Sequence, residues 1–432
     1  MSVYQADDPS ILKVLADFES TMSRSSEIPE RVEHILSEVR SRGDAALLEF
    51  TQRFDGVRLT LDTLRVTEAE LEAGLQSLSP EQIEHIQQAK LQIETFHRQT
   101  LPENWQYSNA QGATVGERFY PIASVGLYVP GGSVPLVSSV LMSAVLAKIA
   151  GNPRIVVVTP PLPDGTLAPG MLAALKICGI TEIYKVGGAQ AIAALAYGTA
   201  TIERVDKLFG PGNAYVLEAK RQVFGQVGVD LLPGPSEVAI VADNTANPAW
   251  VAADLLAQAE HGSGKERILL LSQGQALLGQ ILAEIERQLP GRSHANAIRT
   301  VVDSRFLKII YSQPHEAVSV LNAFAPEHLE LQVEEESLEY FMRYVTTAGA
   351  MLLGHHTPTV LGDFTAGPSH TLPTGGAGRF MSGMQLGDFL RRTSVVKYGP
   401  DSLPKAQPVV ATFAELEQLD AHGRSLQIRL DS

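Results

Sequence analysis

From Ala123 onward the chain repeats one local pattern: a short apolar run, a turn, then a helical segment. It occurs in "ASVGLYVPGG", "RIVVVTPPLPDG", "EIYKVGGAQAIAAL" and "KLFGPGNAYVLEAKRQ". After a break near Gly234-Pro235 it resumes with "EVAIVAD", "RILLLSQG" and, near residue 350, "GAMLLG". Short apolar runs separated by helices fit strands covered on both faces, so the pattern predicts an α/β fold of parallel sheets with flanking helices. Ligands of such sheets bind beyond the carboxyl ends of the strands. Four glycine-rich turns fall at such places: Gly131-Gly132, Gly187-Gly188, Gly210-Pro211-Gly212 and Gly234-Pro235. Any one of them reads equally as a plain tight turn, whereas four in succession favour a cleft. None completes G-x-G-x-x-G. "HGSGKE" is not a phosphate loop either, since Ala259 stands where its first glycine is required and Glu266 where Ser or Thr is required.

The first hundred residues have a different texture. Val32, Ile35, Leu36 and Val39 make one helical stripe, Thr67 with Glu70 reads as a capping box, and Ser79-Pro80 with Gln82 reads as another. A set of amphipathic helices is expected there, and a small helical appendage from about Gly399 to the end. A chain of 432 residues exceeds one core of ordinary size, so two or more folding units are expected. Acidic residues outnumber basic ones, for a formal charge of -14, and no basic run is present, which argues against nucleic acid as a partner. The lone Cys178 can form neither an intrachain disulfide nor a thiolate cluster, which fits a reducing, cytoplasmic setting. The start, "MSVYQADDPSILK", has early acids and no apolar core, so no signal peptide is expected. The longest apolar stretch, Val134 to Gly151, holds three serines and Lys148, and predicts a buried helix rather than a membrane span.

Candidate reactive groups are scattered. Gln258 and His261 in "LLAQAEHG" are three residues apart in a helical segment, which puts them on one face. In "APEHLEL", Pro326 suits the first position of a helix, with Glu327 and His328 in its first turn. The positive end of the helix dipole would favour an ionised glutamate and a neutral histidine, the states two general bases need. A capped helix with an incidental histidine explains the motif as simply. "LGDFTAGPSH" places Asp363 and His370 on a loop after a strand, and "ELEQLDAH" offers Glu417 and His422. Asp and His suit a borderline metal such as zinc; glutamine is a less usual ligand, and His355 and His356 compete. The residues alone reach an acidic α/β protein with a His- and Asp-lined cleft, and leave open a metal-dependent hydrolase or a non-catalytic metal or nucleotide binder.

Eight strings narrow this: "GLYVPGG", "VGGAQAIAALAYGT", "DKLFGPGNAYVLEAKRQV", "GPSEV", "LLAQAEHG", "PEHLEL", "GDFTAGPSHTLPT" and the terminal "AH". In this order they resemble the histidinol dehydrogenase family over nearly the whole chain. The resemblance implies oxidation of L-histidinol to L-histidine with two NAD and one zinc. It implies zinc ligands at Gln258, His261, Asp363 and His422, and proton transfer by Glu327 and His328. Ser236, His370 and Glu417 fall where the family contacts substrate, and Tyr128, Gln190 and Asn213 where it contacts NAD. It further implies a homodimer with shared active sites, built from two incomplete Rossmann-like domains with intertwined ends. The expected division is an N-terminal helical segment, 1–25; a first α/β domain with the metal and catalytic residues, 26–127 plus 237–380; a second on the NAD side, 128–236; and a C-terminal segment docking on the partner subunit, 381–432. The nearest alternative is a dehydrogenase of the same family acting on another small amino alcohol or polyol.

Overall fold

The computed structural model describes residues 3–20, 27–131, 136–261 and 264–431; Gly132 of the first glycine turn, and Val134 and Pro135, lie outside them. Its strands follow in chain order. First come β1 (Val3–Gln5), β2 (Trp105–Ser108) and β3 (Thr114–Pro121). Next are β4 (Ser124–Tyr128), β5 (Arg154–Thr159), β6 (Glu182–Lys185), β7 (Lys207–Phe209) and β8 (Gly228–Val229). They are followed by β9 (Glu237–Ala242), β10 (Arg267–Gln273), β11 (Phe306–Tyr311), β12 (His328–Gln332), β13 (Ala350–Leu353) and β14 (Leu390–Lys397).

The repeated run-turn-helix pattern folds into two parallel sheets. One is five-stranded, in the order β6-β5-β4-β7-β8. The other runs β11-β10-β9-β12-β13, with β1 added in parallel outside β11. Counted along its own strands, each has the order 3-2-1-4-5, that of the first five strands of a doubly wound dinucleotide-binding sheet. A small antiparallel sheet, β14-β3-β2, stands apart from both.

Helices cover both faces of each parallel sheet. On the six-stranded sheet, Val238, Ile240 and Ala242 face the helices Pro248–Ala259, Gln275–Gln288 and Ala295–Ser304. Their alternates Ala239 and Val241 face Ile11–Ser20, Pro314–Phe324 and Glu335–Tyr344. This two-residue alternation fixes which side each residue of β12 takes. His328 pairs with Val238, Glu330 with Ile240 and Gln332 with Ala242, so all three look toward the 248–259 helix, whereas Leu329 and Leu331 join the opposite core.

Several expectations hold. The stripe Val32, Ile35, Leu36, Val39 is buried, both capping boxes form, and the described part of the long apolar stretch is the largely buried helix Val137–Ala150. No helix among the described residues is long and apolar enough to cross a membrane.

Other expectations need correction. Residues 1–25 contain a strand as well as a helix: β1 extends the six-stranded sheet because its backbone continues the ladder of β11. The helices Glu27–Arg42 and Asp44–Asp55 share a core with Tyr128, Val156 and the Gly188–Tyr197 helix, so these two helices pack on the five-stranded sheet rather than with 237–380. Their apolar stripe says that they are covered, and only the fold says by what. Within 381–432, Met384, Leu386 and Phe389 belong to the core of the same sheet, with Phe389 stacked on Phe209 at 3.9 Å between ring centroids. The helices Leu403–Leu416 and Asp420–Leu430 pack on each other as a hairpin and leave Phe413 and Leu416 exposed.

Candidate active site

"APEHLEL" does not start a helix. The Pro314–Phe324 helix ends at Ala325, whose left-handed φ of 52° turns the chain, and His328 begins β12. Five consecutive buried residues from His328 to Gln332 make a parallel strand covered on both faces, which a short apolar run cannot distinguish from a helix. The helix-dipole argument for a neutral histidine therefore falls, and the pair sits at the amino edge of the six-stranded sheet.

One residue grips both side chains at that edge. The backbone N–H of Glu237, at the start of β9, donates to Glu327 Oε2 at 2.7 Å. Its carbonyl lies 3.2 Å from His328 Nδ1 and accepts that ring's N–H. The Glu237 side chain is itself anchored in a buried ion pair with Arg267 and by the Gly375 N–H at 2.8 Å. With Nδ1 occupied, His328 Nε2 faces Asp363 Oδ1 at 3.5 Å, and Glu327 Oε2 lies 3.6 Å from Nδ1. Burial alone would push the His328 pKa down, but the two carboxylates outweigh it and raise it to about 10, favouring the imidazolium in the lone chain.

Asp363 is carried by the short helix Thr359–Phe364 rather than by a loop. Burial would raise its pKa, yet His328, His370 and His261 together hold it below the usual carboxylate value. His370 Nδ1 lies 3.0 Å from the Asp363 carbonyl, and its Nε2 lies 3.5 Å from Ser139 Oγ of the Val137–Ala150 helix. Burial, the leading cause, lowers the His370 pKa. This contact joins the two parallel sheets at the site.

The 248–259 helix runs back from the carboxyl end of β9 toward the amino end of β10. Its last turn, with Gln258, therefore arrives at the same edge. His261 follows, its Nδ1 3.1 Å from the Gln258 carbonyl, which leaves Nε2 free to bind. Gln258 is buried and its Nε2 has no hydrogen-bond partner. The unpaired nitrogen is not itself a metal ligand, but the Gln258 side-chain oxygen with the His261 imidazole and the Asp363 carboxylate is a donor set that suits a cation such as zinc. Among the described residues no three His, Cys, Asp or Glu side chains close a metal site by themselves. His422 and Glu417, on the C-terminal hairpin, are exposed and make no side-chain contact with these groups. His355 and His356 lie past β13 at the carboxyl edge, the first bonded to Thr245 and the second tilted against Trp250, so they do not compete for the site. Ser236 is half-buried directly before Glu237.

The five-stranded sheet offers its carboxyl edge. Tyr128 ends β4, and its hydroxyl accepts the Gly188 N–H at 3.2 Å. Gly210 follows β7 at φ 109°, where a side chain would collide with the Tyr128 carbonyl. This is the point where the strand order reverses, between the first and fourth strands of the sheet. Gln190, in the first turn of the next helix, is fully buried with both polar side-chain atoms unpaired. Asn213 caps the Ala214–Val223 helix through the N–H groups of Tyr215 and Val216.

Sequence reasoning missed Glu237, Arg267 and Ser139. The only signals were a glutamate opening an apolar strand and serines within an apolar helix.

The family model for histidinol dehydrogenase matches residues 19–430. Curated relatives include histidinol dehydrogenases of Synechococcus sp., 48% identical over 93% of this chain and 92% of that protein, and of Geobacillus kaustophilus, 45% identical over 92% of each. The crystal structure of histidinol dehydrogenase from Elizabethkingia anophelis superposes with a TM-score of 0.95 at 35% identity, covering 100% of this chain and 98% of that one.

Proposed function

This chain belongs to the histidinol dehydrogenase family, and on that premise we propose that it is the oxidoreductase that converts L-histidinol to L-histidine, the end of histidine biosynthesis, through L-histidinaldehyde. The reaction removes four electrons, delivered as two hydrides to two NAD. The observation that carries this reading is Glu327 and His328 held by the backbone N–H and carbonyl of one residue, Glu237, with Asp363 beside them.

Gln258, His261, Asp363 and the exposed His422 would hold one zinc ion, which supplies a Lewis-acid anchor for the amine and imidazole of the substrate. With Nδ1 donating to the Glu237 carbonyl, Nε2 is the His328 atom that would accept a proton. His328 Nε2 then takes the hydroxyl proton as the first hydride leaves the carbinol carbon. Glu327, with Oε2 fixed by a backbone N–H, has its second oxygen free to take a proton from the water that adds to the aldehyde. As the water adds, His328 returns its proton to the aldehyde oxygen, and it serves again as base when the second hydride leaves the hydrated aldehyde. Ser236, His370 and Glu417 are assigned to substrate contact. Closure of the cleft would keep the reactive aldehyde from water until the second step.

Tyr128, Gln190 and Asn213 are assigned to NAD at the carboxyl edge of the five-stranded sheet, acting as an incomplete Rossmann-like unit. The exposed apolar residues Phe413, Leu416 and Leu419 of the C-terminal hairpin suit docking on a second copy, which would bring Glu417 and His422 to the partner's site in a homodimer. A cytoplasmic enzyme fits the single buried cysteine. The test is NADH formation with L-histidinol against a panel of small amino alcohols and polyols. Two NADH per histidine formed is expected; turnover of another alcohol in preference, or a ratio of one, overturns the reading.

A further inference from the structure

Next to the reactive cluster lies a second group of polar side chains, Glu330, Gln332 and Thr359 buried and Asp254 half-buried, with no part in the chemistry above. Asp254 sits one helical turn before Gln258 on the 248–259 helix. Glu330 sits two residues after His328 on β12, on the same side of the sheet. One amide nitrogen touches both: Gln332 Nε2 is 2.7 Å from Asp254 Oδ2 and 3.3 Å from Glu330 Oε2. The other Glu330 oxygen accepts the Thr359 N–H and hydroxyl, each at 2.6 Å. Thr359 opens the helix that carries Asp363 one turn later. The two carboxyl groups face each other across this amide, near enough for Glu330 to raise the Asp254 pKa. Three elements that bear Gln258, His328 and Asp363 thus meet at one carboxyl pair.

We propose that Asp254 and Glu330 share one proton and, as a singly charged pair, act as positioning residues that set Gln258, His328 and Asp363 in mutual register. Two ionised carboxylates sharing one amide, Glu330 1% exposed and Asp254 half-buried, would repel with solvent reaching only one of them. A single retained proton turns that repulsion into a hydrogen bond. Glu330 accepts from Thr359 and Gln332, which suits the ionised partner; Asp254 then carries the proton. Burial first, then the facing Glu330, raises the Asp254 pKa to about 8. Glu330 is the charged group that acts on Asp254; the other neighbours, Gln332 and Thr359, are uncharged.

A carboxyl group whose pKa is raised by folding holds its proton more tightly when folded. Its contribution to stability is complete below the ordinary carboxylate range and is lost as pH rises toward about 8. Asp254→Asn keeps the geometry without the titration: its amide N–H replaces the shared proton, and its oxygen accepts from Gln332. The proposal rests on the reading of the 258–328–363 cluster as the reactive site, so the experiment has one arm that does not depend on it. In that arm, melting temperatures of wild type and Asp254→Asn are measured from pH 5 to pH 9. The variant should gain on wild type steadily as pH rises and level off above pH 8; parallel curves overturn the shared proton. In the second arm, Asp254→Asn should keep at least half of the wild-type kcat with histidinol and NAD, whereas Asp254→Ala should lose about tenfold in kcat with the KM for NAD unchanged. Equal losses in both variants, or losses confined to KM, overturn the positioning role. Glu330→Gln guards against misfolding of the alanine variant: it should abolish the same pH-dependent difference while keeping the Thr359 contacts. If wild type fails to oxidise histidinol, the functional reading fails while the melting curves still judge the pair.

Discussion

The two parallel sheets share one strand order and are used at opposite edges. The five-stranded sheet gathers Tyr128, Gly188, Gln190 and Gly210 at its carboxyl edge, at the reversal point. The six-stranded sheet uses its amino edge, where Glu237, Glu327 and His328 begin their strands. The polar groups differ accordingly. At the first edge Gln190 is unpaired and its neighbours are glycine and backbone, as a site that accepts a bound molecule requires. At the second, the ionisable groups are tied to one another and to a buried Arg267–Glu237 pair. A shared topology therefore does not fix where chemistry goes. The side chains placed on either rim decide it.

The largest expected effect comes from metal removal. Chelation should abolish turnover and leave the circular dichroism spectrum nearly unchanged, because the proposed ligands lie at the rim of a sheet with its own core. Full activity in a verified metal-free sample would break the assignment of that rim. Next is His328→Asn, expected to cut kcat by about 10²–10⁴-fold on both histidinol and histidinaldehyde, since each hydride transfer needs a base. Glu327→Gln should impair the aldehyde step more than the alcohol step, because only that step needs an activated water. Equal losses on both substrates in both variants would contradict the division of labour. The smallest effect separates the two edges. Gln190→Met should raise the KM for NAD by roughly tenfold, the worth of one or two lost hydrogen bonds. The melting temperature of the ligand-free protein should hold or rise, since the variant removes an unpaired buried amide. An unchanged KM for NAD would show that the carboxyl edge has another use.

Much of this was legible in the sequence, for physical reasons that differ by element. The strands of both sheets are apolar runs covered on both faces, and the caps at Thr67 and Ser79 are local chemistry, so each could be read without the fold. Strand β12 could not: "PEHLELQ" offers a proline suited to a helix start and only five buried residues, and its identity is settled by pairing with β9 and β13. The partner of the 27–55 helices was equally hidden, because an apolar stripe does not name what covers it. Within the site, the motif residues Gln258, His261, Glu327, His328, Asp363 and His370 converge, while Glu237 escaped notice because it acts through its backbone. His422 and Glu417 remain exposed on the C-terminal hairpin, far along the chain from the rest.

That last contrast, between a buried rim and an exposed histidine, carries the central claim that each active site takes His261 from one copy and His422 from another. His261→Asn and His422→Asn proteins should each be inactive alone. Co-refolded in equal amounts, about half of the dimers are mixed, and each mixed dimer holds one site with both lesions and one with neither. The account predicts recovery to roughly a quarter of wild-type activity by that two-fold symmetry. No recovery, with mixed dimers demonstrated in the sample, would contradict it.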